Sequence, residues 1–82
     1  MGMLRIMSRQ GDTPVTWDEA AARAGDPEAI AAVEEAERIF AEARANGATA
    51  FVVRGAGQAP VRIDRLDREA QEVILVPRVI GG

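Results

Sequence analysis

The stretch EVILVPRVIGG, residues 72–82, decides how the rest of the chain can fold. Val73, Ile74, Leu75 and Val76 form an unbroken apolar run, three of the four β-branched. A run of this length and type reads as a strand at least partly covered on both faces, which places it in the middle of a sheet. Pro77 has no N–H to give a ladder and ends the strand. Arg78, Val79 and Ile80 follow, then Gly81 and Gly82, two residues with no side chain to pack. A central strand needs a neighbour on each side, so the preceding residues must supply them.

Residues 3–8, MLRIMS, alternate Leu4 and Ile6 with Met3, Arg5 and Met7, the period of a strand with one face toward a core. Residues 9–12, RQGD, are turn chemistry. TPVTW, residues 13–17, resumes as a second strand, and Pro14 assigns it to a sheet edge. The two form a hairpin. TWDE, residues 16–19, fits a capping box with Thr16 as N-cap and Glu19 reaching back, opening one or two helical turns that stop at Gly25. Trp17 is expected as an anchor at the core rim.

Residues 25–47 carry the strongest periodicity. Asp26 caps, Pro27 occupies the first helical position, and Asn46-Gly47 closes the C-terminus. Ile30, Val33, Ala36, Phe40 and Ala43 recur at spacings of three and four and make one apolar stripe. Glu34 and Arg38 stand four apart with the acid first, the favourable order for a helical ion pair. A strand (TAFVVR), a loop (GAGQAP) and another strand (VRID) follow, connected as a hairpin between Val53 and Val61. The glycines of that loop lack a helix behind them and do not make a phosphate cradle. RLDREAQE, residues 65–72, is a polar turn anchored by Leu66.

The order is strand, strand, helix, strand, strand, strand. One long helix must cover one sheet face, and the first and last strands, connected through it, can run parallel. The expected class is α+β: a mixed sheet of four to five strands covered by one long helix, resembling the β-grasp of ubiquitin-like proteins. The expected core is Leu4, Ile6, Val15, Ile30, Val33, Phe40, Phe51, Val53, Ile63, Leu66, Ile74 and Val76. Residues 1–82 form a single domain with a flexible C-terminal tail from residue 77.

The 82 residues are 48% hydrophobic and 28% charged, the balance of a soluble globular domain. There is no Cys, His, Tyr or Lys, and all ten cations are Arg. Without Cys or His the chain has no thiolate nucleophile, no zinc ribbon and no neutral-pH proton shuttle, which argues against an enzyme and against a bound metal or cofactor. The net charge of −3 does not suit a nucleic-acid surface. No apolar run has the length of a membrane span, so a cytoplasmic protein is expected. Arg54, Arg62, Arg65, Arg68 and Arg78 cluster late in the sequence and read as solvated strand edges and turns, or as a patch for an acidic partner.

The end of the chain resembles the ubiquitin-like sulfur carriers, the family of the molybdopterin synthase small subunit and the thiamine sulfur carriers. There an acidic residue precedes an apolar strand and a Pro-Pro-Val-x-Gly-Gly tail. Glu72, residues 73–76, Pro77, Val79, Gly81 and Gly82 match, and Arg78 stands where the family has its second proline. The resemblance implies a carrier or modifier whose Gly81–Gly82 carboxylate is activated by an E1-like adenylating enzyme, for sulfur transfer or conjugation. It also implies partner binding through Pro77, Arg78, Val79 and Ile80. Two residues without Cβ would let an extended tail enter a narrow channel. The alternative from a different class is a non-enzymatic assembly or adaptor protein, such as a phage or virion component.

Overall fold

Alternation of Leu4 and Ile6 with Met3 and Arg5 produces strand β1 (Gly2–Ile6), the first element of a computed structural model that describes residues 1–7, 13–55 and 57–78. Strand β2 (Thr13–Trp17), helix α1 (Glu19–Arg23), helix α2 (Pro27–Ala45), and strands β3 (Thr49–Val53), β4 (Val61–Ile63) and β5 (Glu72–Val76) follow. The class is α+β: one five-stranded mixed sheet in the order β2-β1-β5-β3-β4, with a helix packed on it. The apolar run of β5 lies centrally, parallel to β1 and antiparallel to β3. The Pro14 strand lies at one edge, antiparallel to β1.

The long helix forms where its signals stand. Asp26 accepts from the Glu28 N–H at 3.0 Å, Pro27 is the first helical residue, and Gly47, just beyond the Asn46 cap, takes φ +93°. Ala29, Val33, Ala36 and Phe40 are its buried face. Ile30, expected in the stripe, is 37% exposed. The buried series runs 29, 33, 36, 40, and Ile30 is rotated off it toward α1, where it borders a cleft with Ala22 and Arg23. Glu34, Arg38 and Glu42 are exposed as expected, but Arg38 pairs with Glu35 at 2.6 Å and Glu42 at 2.9 Å instead of with Glu34. Its planar fork spans the carboxylates on the turns before and after it.

The start of α1 departs from the TWDE reading. Thr16 and Trp17 remain in β2, and Asp18 is the cap, accepting from the Ala21 N–H at 3.0 Å. Keeping Trp17 in the strand buries its ring: it is 1% exposed, a full core residue instead of a rim anchor. Its indole Nε1–H donates to the Arg68 carbonyl at 3.0 Å, which satisfies the one polar atom of the ring.

The largest correction concerns the sheet face. Leu4, Val73, Leu75, Ala50 and Val52 are buried, with Ile6 and Ile63 half-buried beside them, and ladder register places all of them on one side. Phe51, Val53 and Ile74, expected in the core, are half-buried on the opposite side, and Val76 is 39% exposed there. Both faces of β3 and β5 are apolar, and the helix covers the one where Ala48 and Ala50 leave room for Phe40 and Val33. Leu4, Val33 and Phe40 are buried as expected, while Ile6, Val15, Ile63 and Leu66 pack partly buried against the cluster.

Candidate functional site

Strand β5 carries the chain from the middle of the sheet to the surface. Leu75 is fully buried, and Val76, Pro77 and Arg78 are exposed. The aliphatic stem of Arg78 crosses Gly47: a methyl on residue 47 would lie 3.2 Å from Arg78 Cδ. Gly47 therefore serves twice, by taking the left-handed conformation that ends α2 and by leaving a notch for Arg78. Beside this notch Arg44 donates through Nη1 to the Ala48 carbonyl at 2.9 Å and through Nη2 to Asp64 at 3.1 Å. The end of α2, the start of β3 and the end of β4 are thus bound together under the root of the tail. Of the expected tail residues, Pro77 and Arg78 lie at this root. Val79, Ile80, Gly81 and Gly82 lie outside the described residues.

The sheet face that no helix covers leads to the same place. Across it, register aligns Pro14, Arg5, Ile74, Phe51 and Arg62 in one row, one residue from each strand. A second row holds Thr16, Met3, Glu72 and Val53. Arg5 pairs with Glu72 at 3.4 Å and reaches the Met3 sulfur at 3.7 Å. A half-exposed aromatic and aliphatic centre with charges around it has the anatomy of a protein-binding surface. Sequence reasoning placed Phe51 and Ile74 in the core and so missed this face. Arg5, at a strand position opposite Ile74, was the available signal.

Several charges elsewhere are held in pairs. Hydrogen bonding to Arg38 holds the Glu35 carboxyl below the usual glutamate range, and Glu35 in turn raises the Arg38 guanidinium. Glu69, then Glu19, raise Arg23. Arg68 bonds Glu37. The cleft of about 370 Å³ between α1 and α2 is lined by Glu19, Ala22, Arg23, Ile30, Val33, Glu34 and Arg68. Three of its four charged groups are already engaged: Arg23 and Glu19 with each other, and Arg68 with Glu37. Among the described residues no cluster of three or more His, Cys, Asp or Glu could hold a metal ion, and no helix is long and apolar enough to cross a membrane.

No protein-family model, curated protein or solved structure matches the chain.

Proposed function

We propose that this chain is a ubiquitin-like carrier or modifier with a β-grasp fold, whose Gly81–Gly82 end is activated by an E1-like adenylating enzyme. One observation carries the reading: the central strand β5 delivers the chain to an exposed root at Val76, Pro77 and Arg78, four residues before Gly82. Fully extended, those four residues span at most about 14 Å, enough to take the carboxylate off the domain and into a partner's channel. The sheet order, with β1 parallel to β5 and the helix between them in sequence, is compatible with a β-grasp and supports this reading.

The chemistry follows from the carboxylate. An oxygen of Gly82 attacks the α-phosphorus of ATP and pyrophosphate leaves. Hydrosulfide or an amine then attacks the acyl carbon and AMP leaves, giving a thiocarboxylate or an amide. The partner supplies ATP binding and proton transfer, so the lack of His and Cys in this chain is no obstacle. This chain supplies the reacting group and a docking surface: the row around Phe51 and Ile74, continuous through Val76 with the tail root. The setting of such chemistry is the cytoplasm.

The second reading, a non-enzymatic assembly or adaptor protein, draws on the same open face, which a neighbouring subunit would bury. An intact mass spectrum of the protein from its native host tests the first reading. A species in which sulfur replaces one oxygen, or an acceptor joined through Gly82, supports it. An unmodified chain in a stable large oligomer supports the second.

A further inference from the structure

The two edges of the sheet differ. At β2, Pro14 removes a backbone donor and discourages another strand from pairing. At β4 no proline interrupts the strand, Val61 is 46% exposed and Arg62 is exposed. The hairpin that forms this edge carries three exposed arginines, Arg54, Arg62 and Arg65, and none of them pairs with a described residue. Asp64, the acid next to Arg65 in the chain, is already paired with Arg44. Arg62 is the middle residue of β4, whereas Arg54 follows the last residue of β3 and lines a pocket with Asp67, Glu69, Ala70 and Gln71. Arg65 stands two residues past the end of β4. Arg62 and Arg65 thus lie along roughly 10 Å of this edge, at about 3.3 Å per residue. On a chain whose net charge is −3, this strip stands out by its sign.

We propose that the β4 edge receives an extended acidic segment of a partner protein, added as a sixth strand. Main-chain groups of β4 supply the ladder, and side chains select the segment. The residue placed beside Arg62 is acidic. Those placed beside Val61 and Ile63 are apolar, because these two lie on the helix side of the sheet with Val52 and Ala50. A second copy of this chain fits poorly. Antiparallel pairing of β4 with itself about Arg62 sets two guanidinium groups directly opposite, which destabilises a ladder. Centring the pair on Ile63 sets Arg62 against Asp64, which Arg44 already holds. The inference concerns an edge strand, not the tail, and stands whether or not Gly82 is activated.

The test uses the full chain, ¹⁵N-labelled, titrated at low ionic strength with the blocked peptide Thr-Val-Glu-Val-Glu-Val-Thr and with its counterpart bearing Lys for Glu. The glutamate peptide is expected to shift the amides of residues 61–63 to saturation and to bind at least about tenfold more tightly than the lysine peptide. Arg62→Glu, at an exposed position, is expected to reverse that preference without lowering the melting temperature. The proposal is overturned by equal responses to the two peptides, by no response at millimolar peptide, or by shifts centred on residues 72–76. A concentration-dependent dimer with line broadening at residues 61–63 would also overturn it, by assigning the edge to a second copy.

Discussion

The indole of Trp17 lies against the backbone of Gly2, so that a Cβ on residue 2 would run into the six-membered ring. The two are register partners across the first hairpin, and both are buried. Gly2→Ala must therefore displace the ring from a site where it also holds the Arg68 carbonyl. The expected cost is about 1–3 kcal/mol, the usual range for overpacking. Urea denaturation should show a lower midpoint at unchanged slope. An unchanged midpoint would mean that the ring moves aside freely.

Trp17→Phe keeps most of the apolar volume and deletes the Nε1–H bond. It leaves the Arg68 carbonyl without its indole donor, which should cost about 1–3 kcal/mol. The wild-type protein offers an independent check, since Trp17 is its single tryptophan and is 1% exposed. Native emission should be blue-shifted and resistant to acrylamide, and should move red in one step with unfolding. Ready quenching in the native state would contradict the burial.

On α2, two apolar residues of similar appearance in the sequence should behave differently. Phe40 is 4% exposed within the core cluster, and Phe40→Ala should cost about 3–5 kcal/mol. Ile30→Ala, at the cleft beside α1, should cost less than about 1.5 kcal/mol. Thermal melts of the two variants decide the matter, and equal losses would mean that Ile30 belongs to the core.

The Glu35–Arg38 pair sets an acid-side dependence. Its hydrogen bond lowers the folded-state pKa of Glu35 relative to the unfolded chain. The contribution is therefore present above the unfolded value and is lost as pH falls through the lowered one. Because both groups are exposed, the effect is screened and small. Carboxyl NMR should find Glu35 titrating below the usual glutamate range, and Arg38→Ala should return it toward that range. A Glu35 that titrates in the usual range in the wild-type chain would show that the pair does not persist in solution.

Deleting Gly81 and Gly82 should leave stability within about 0.5 kcal/mol of the intact chain, because neither residue has a side chain to pack. The same deletion should abolish any thiocarboxylate or conjugate found in the native host. Gly82→Ala should reduce modification more than stability, since one methyl obstructs a narrow channel. A truncated protein that unfolds, or one that is still modified, would each overturn the assignment of the tail.

The sequence by itself determined those features in which a local rule has one solution. Asp26-Pro27 and Asn46-Gly47 bounded α2, because a cap, a proline at the first turn and a glycine with positive φ each act within a few residues. Pro14 placed β2 at an edge, and the apolar run of residues 73–76 placed β5 in the centre. The tail from Val79 to Gly82 is legible only as sequence. What tertiary structure alone decided was which of two acceptable answers applied. Thr16 read as the cap of the first helix, and burial of Trp17 in the strand moved the cap to Asp18. Period two divides β3 and β5 into two apolar faces without saying which meets the helix. The bulkier set, Phe51, Val53, Ile74 and Val76, looked like the core. The helix instead packs where Ala48, Ala50 and Ala36 let backbones approach and Phe40 fill the space between, so the bulkier set forms the open face. That choice depends on the fit of volumes between elements distant in sequence, which no window along the chain contains.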